Sequence, residues 1–217
     1  MIRPLLATLA LAAAAAAAAL PAPAAAQEVQ SYVEINPPIA TDTRSKVEVA
    51  EFFWYECPHC YALEPSLEGW VKKLPKDVEF KRVPAMFNQR WAISARVYYT
   101  LEAIGELDRL HKPLFDAIHK DALRITNEGQ LTDWLGRQKV DIAKFNAALK
   151  SFSVESKLKR AAELTQASKI DGVPALMVNG RYLVVASTAN SEERMLATAD
   201  SLIDQARRQL AATAPKK

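Results

Sequence analysis

The only two cysteines of the 217-residue chain lie in one tetrapeptide, Cys57-Pro58-His59-Cys60. Thiols at this spacing suit disulfide exchange: one sulfur attacks as a thiolate, and the second lies close enough to resolve the mixed disulfide. A structural staple is a poorer explanation. Closing four residues constrains the unfolded chain by only about 2 kcal/mol in the loop-entropy treatment, against about 4.7 kcal/mol for a 100-residue loop. At the mouth of a helix, Cys57 would meet unpaired backbone N–H groups and the positive dipole end, so its pKa should fall well below about 8.5. Cys60, one turn further in, should be more buried and stay a thiol until it attacks. Pro58 fits a first helical turn, where no N–H is needed. His59 can set a cationic or hydrogen-bonding imidazole beside the Cys57 sulfur, although a solvated loop histidine fits the same position. Whatever stabilises the thiolate stabilises the reduced chain and makes the oxidised chain the stronger oxidant.

These residues need a strand before them and a helix after them. Val47 to Tyr55 is rich in β-branched and aromatic residues and predicts a buried strand, with a further short one at Tyr32 to Ile35. After the motif, Leu63, Leu67, Trp70, Val71 and Leu74 recur at helical spacing as far as Pro75, and Pro65 should kink that helix. Val78 to Val83 predicts a second central strand. Helical spacing dominates from 88 to 169. Pro113 is expected near a helix start and Ser153 as an N-cap, with His111 and His119 as structural or surface residues. Strands return at Ala175 to Val178 and Arg181 to Val185 around Asn179-Gly180, a dipeptide favoured in tight hairpins. A helix should follow from about Ser191. The expected architecture is an α/β core interrupted by a helical insertion: a leader over 1–26, core over 27–87, insertion over 88–169, core again over 170–211, and a disordered tail over 212–217.

Arg3, the apolar run Leu5 to Leu20 and Ala24-Ala25-Ala26 fit a cleaved export signal, leaving Gln27 as the mature start. The run is too short and too alanine-rich for a membrane anchor. The net charge is +3, with acids and bases interleaved and no basic tract, which argues against a nucleic-acid partner.

Glu51-Phe52-Phe53, Cys57-Pro58-His59-Cys60-Tyr61, Gly172-Val173-Pro174-Ala175 and Val178-Asn179-Gly180 together resemble the DsbA proteins of bacterial periplasms, over essentially the whole mature chain. The resemblance implies a thioredoxin-like fold with an inserted helical domain. It also implies a periplasmic location, donation of disulfides to reduced, unfolded exported proteins, and reoxidation by a quinone-linked membrane partner, DsbB. The expected form is a monomer with no cofactor beyond the Cys57–Cys60 disulfide. By the same resemblance, Pro174 takes the family's cis-proline place beside Cys57, leaving the Val173 backbone free to pair with an extended client. Glu51 matches a buried carboxylate that carries protons beneath Cys60. The sequence departs from the family at Glu56, a carboxylate directly before Cys57 that would oppose the thiolate. It departs again over Pro84 to Arg90, where a partner groove is expected.

Two other readings stay open. A reductase or isomerase would use the same cysteines, but the exported isomerases usually carry a dimerisation domain ahead of the catalytic fold, and only about 20 residues separate Gln27 from the first convincing strand. A metal binder would also use them. Closed zinc sites need four ligands and no second cluster is present, whereas Cu(I) carried on two thiolates is harder to set aside.

Overall fold

A computed structural model describes residues 31–43, 45–189 and 191–213. The expected leader lies outside them. In chain order the elements are β1 (Val33–Glu34), β2 (Val47–Phe53), α1 (Pro58–Val71), β3 (Val78–Pro84), α2 (Gln89–Ala103), α3 (Leu107–His119), α4 (Glu128–Arg137), α5 (Ile142–Leu149), α6 (Phe152–Ser168), β4 (Ala175–Val178), β5 (Tyr182–Val185), α7 (Ala186–Ala189) and α8 (Glu192–Thr213). The five strands form one sheet in the order β1-β5-β4-β2-β3. Only β3 is parallel to β2, and β4 runs antiparallel to it. This is the thioredoxin-like α/β fold with a helical domain inserted between β3 and β4.

Strand β2 is the spine, and all seven of its residues are buried. Its side chains alternate between two cores, as strand geometry requires. Val47 and Val49 pack with Leu63 and Leu67 of α1 and with Met195 and Leu202 of α8. Ala50 and Phe52 face the inserted helices, where Leu101, Leu110, Leu114 and Leu158 complete the other core. Glu51 has the parity of Val47 and Val49 and therefore points to the α1 side. That parity is what brings a carboxylate beneath the cysteine pair.

Several local expectations change. Strand β2 stops at Phe53, two residues early, because Trp54 to Glu56 turn the chain into α1. Pro113 lies inside α3 rather than near its start. The cap of α6 is Ser151, not Ser153: its hydroxyl accepts the Val154 N–H at 3.3 Å. Helix α8 continues through Ala212 and Thr213, so those two residues are helix and not tail. Between β4 and β5, Asn179 and Gly180 both adopt positive φ (51° and 64°), and the Arg181 N–H closes the turn on the Val178 carbonyl at 3.0 Å. Gly180 is needed twice over, since a Cβ there would lie 1.9 Å from the Ile39 carbonyl oxygen.

Candidate active site

Cys57 is the N-cap of α1, with extended backbone angles (φ −84°, ψ 118°), and Pro58 occupies the first turn. The Cys57 sulfur accepts the Cys60 backbone N–H at 3.4 Å and lies 3.5 Å from the Val173 carbonyl oxygen, to which its thiol donates. The Val173–Pro174 peptide is cis. Two segments 116 residues apart thus meet at one sulfur. Pro58 and His59 are exposed, whereas Cys57 and Cys60 are buried.

The two thiols differ as attacker and resolver must. Cys57 is drawn down to about 6, first by a hydrogen bond from the Cys60 thiol, then by the backbone N–H groups of Cys60 and His59, and last by the charge of His59. The helix mouth therefore outweighs the imidazole, against the weight the sequence placed on His59. Cys60 moves the other way, raised well above a free thiol mainly by burial, then by its contact with Cys57 and the charge of Glu51. A thiol so placed needs a base before it can attack.

Glu51 is the carboxyl whose charge reaches Cys60. It is 1% exposed, and burial raises it to about 8 although Arg82 opposes the shift. Arg82 is its direct cross-strand partner on β3, with Nε 3.1 Å from the Glu51 carboxylate. Neither Glu51 oxygen completes a well-aligned hydrogen bond among the described residues, the setting in which a carboxyl keeps its proton. On the far side of the guanidinium, Arg82 Nη2 reaches Glu64 at 2.5 Å. Burial works against the Glu64 carboxylate, but the His111 ring 3.5 Å away and the charge of Arg82 outweigh it and hold Glu64 below the usual carboxylate range.

Sequence reasoning missed Arg82, Glu64 and His111. Glu64 was legible in principle, because Cys60, Leu63, Glu64 and Leu67 form the buried stripe of α1 at helical spacing and an acid within such a stripe is informative. Arg82 and His111 carried no such signal. Glu56, expected to oppose the thiolate, pairs instead with Arg90 at 2.5 Å, and the Arg90 guanidinium lies over the Trp54 ring. None of Pro84 to Arg90 is among the residues lining the cleft beside His59 and Pro174. Phe87 packs on Trp91, which stacks on Trp54 at 4.3 Å. The cleft opens on the other side, between α1, Pro174 and the start of α8.

A thioredoxin-like sheet that brings a helix-capping thiolate, a buried resolving thiol and a cis-proline loop together defines a thiol-disulfide oxidoreductase. The "DSBA-like thioredoxin domain" family matches residues 75–199. Full-length relatives extend the match through the cysteine motif. The "Thiol:disulfide interchange protein DsbA" of Bordetella parapertussis is 45% identical over 184 residues, covering 84% of this chain and 88% of the relative. The protein of the same name from Azotobacter vinelandii is 41% identical, with 82% and 83% covered. The crystal structure of Pseudomonas aeruginosa DsbA superposes with a TM-score of 0.79 at 38% identity, covering 85% of this chain and 95% of that one. The chain belongs to the DsbA family of thiol-disulfide oxidoreductases.

Proposed function

We propose that the protein is the oxidant form of this chemistry, delivering the Cys57–Cys60 disulfide to reduced, unfolded exported proteins in the periplasm and regaining it from a DsbB-like membrane partner. The observation that carries this reading is the placement of the sulfurs: Cys57 caps α1 and accepts the Cys60 N–H, which favours its thiolate and draws it to about 6, whereas Cys60 is fully buried and pushed up. A stabilised Cys57 thiolate makes the reduced protein the favoured state, so the oxidised protein gives its bond away. A client thiolate attacks the Cys57 sulfur, the S–S bond breaks, and Cys60 leaves as a thiolate that takes a proton from Glu51. A second client thiolate then attacks the client sulfur of the mixed disulfide, Cys57 leaves as a thiolate, and the client holds the new bond. Two electrons have passed from client to protein. Reoxidation reverses the direction: a partner disulfide captures Cys57, Glu51 removes the Cys60 proton, and the Cys60 sulfur closes the bond.

Pro58 and His59 are exposed on either side of the approach to Cys57, and the Val173 backbone beside Pro174 offers an extended client somewhere to pair. Next to them, a cleft of about 300 Å³ lined by His59, Leu63, Pro174, Ser191, Glu192 and Met195 is placed to receive client or partner side chains. The protein works as a monomer with the cysteine pair as its only redox group. Among the described residues, no helix is long and apolar enough to cross a membrane. The test is redox equilibration with glutathione, together with refolding of a reduced, disulfide-containing client. The oxidase reading requires a couple clearly more oxidising than glutathione's and formation of native client bonds. A couple as reducing as that of thioredoxin would replace it with a reductase, and stoichiometric Cu(I) capture without exchange would replace it with a metal carrier.

A further inference from the structure

His111 lies on α3, 6% exposed, 54 residues from Cys57 in sequence, and plays no part in the mechanism above. Its ring lies between two polar groups. Nδ1 is 2.8 Å from the Tyr55 hydroxyl, and Nε2 is 3.5 Å from Glu64 Oε1, close enough for electrostatic contact but without a well-aligned hydrogen bond among the described residues. No other hydrogen bond of the Tyr55 hydroxyl is found among the described residues, so the O–H has Nδ1 as its acceptor. The remaining ring proton then belongs on Nε2, facing the carboxylate, since a lone pair there would face an anion. The edges of Phe53 and Phe115 pack around the ring, and burial disfavours its charged form. The result is a neutral N–H donor in a fixed tautomer.

The chain of contacts runs Tyr55–His111–Glu64–Arg82–Glu51. The charged and titratable groups facing it are Glu68, whose charge acts on His111, Tyr98 from α2, and the two cysteines of α1. One guanidinium therefore serves two buried acids. The geometry points to His111 as a positioning residue of the exchange reaction: by setting its Nε2–H 3.5 Å from the Glu64 carboxylate, it lets Arg82 remain shared with Glu51 and keeps Glu51 able to take up and release a proton beside Cys60. Without that donor, Arg82 is the sole partner of Glu64 and is drawn towards it. Ionising Glu51 as well would then place two under-compensated carboxylates in the interior.

This inference rests on Glu51 being the proton carrier for Cys60, and the experiment separates the two ideas. The oxidation rate of the reduced protein by oxidised glutathione is followed against pH by tryptophan fluorescence, in the parent protein and in the Glu51→Gln, His111→Phe and His111→Gln variants. The His111→Phe variant should move the Glu51-dependent inflection upward by about one pH unit, a tenfold change in the proton equilibrium, and slow oxidation at neutral pH several-fold. The His111→Gln variant keeps an N–H donor and should restore the inflection. If Glu51→Gln abolishes the inflection while His111→Phe leaves it in place, the role of His111 is overturned and the proton carrier stands. The His111 role is overturned equally if His111→Gln shifts it as far as His111→Phe. If Glu51→Gln leaves the profile unchanged, both readings fall. Should His111→Phe not fold, Tyr55→Phe takes its place: it frees the tautomer, and a shift in the same direction but smaller is required.

Discussion

The Val173 carbonyl oxygen sits 3.5 Å from the sulfur of Cys57, although the two residues are 116 positions apart. This meeting joins the first half of the sheet to the second at the reacting atom. On the reading proposed above, it sets the backbone offered to an extended client within reach of the sulfur that the client thiolate attacks. Geometry of this kind replaces a bimolecular search by positioning, which is where an exchange enzyme gains most of its rate.

The first prediction concerns that sulfur. Thiolate absorbance of the reduced protein should titrate near pH 6 and disappear in Cys57→Ser. The folded pKa is depressed from 9.0 to about 6, so the thiolate's stabilisation of the reduced fold is complete above pH 9, shrinks as pH falls from 9, and is gone below 6. Denaturant midpoints of the reduced protein and of Cys57→Ser should therefore diverge from pH 6 upward and converge below it. Parallel curves across that window would contradict the assignment.

Glu51 carries the opposite sign. Its carboxyl is raised from 4.5 to about 8, so its stabilising contribution is intact below pH 4.5 and is lost as pH climbs to 8. Compared with reduced Glu51→Gln, the reduced parent should lose stability across that range by an amount on the order of 5 kcal/mol. Comparing two reduced proteins cancels the Cys57 contribution.

Arg90 shields the site from a charge that lies next to Cys57 in sequence. Releasing Glu56 with Arg90→Ala should raise the Cys57 pKa by roughly half a unit, and adding Glu56→Gln should cancel the rise. The reading is the same thiolate titration. An unchanged value in Arg90→Ala would mean that the Glu56 carboxylate does not reach the sulfur.

At the hairpin, Gly180→Ala combines positive φ with a 1.9 Å collision against the Ile39 carbonyl, so it should destabilise the fold by about 2 kcal/mol or more. The hairpin is remote from the cysteines, and the thiolate titration of the folded fraction should be unaltered. Wild-type thermal stability would show that the Ile39 segment moves aside freely.

Much of the fold was legible because it is written in short-range patterns. The β-branched and aromatic run of β2, the helical stripe after Cys60, the Asn179-Gly180 turn and the Cys-Pro-His-Cys spacing each depend on residues within a turn or two of one another. The misassignments at Ser151 and Pro113 are also local. Neighbouring serines compete for one cap, and a proline can be carried inside a helix as well as at its start.

The sequence by itself determined that two thiols of unlike environment open a helix, and that an acid sits on a strand otherwise apolar enough to be buried. It could not determine what that acid faces. The parity of β2 turns Glu51 towards α1, the parallel register with β3 sets Arg82 directly opposite it, and the crossing of α3 brings His111 to Glu64. Local propensity reaches a few residues along the chain, whereas the proton-holding power of a buried carboxyl depends on charges delivered by three distant segments through a low-dielectric interior. Only the packed tertiary structure fixes those distances.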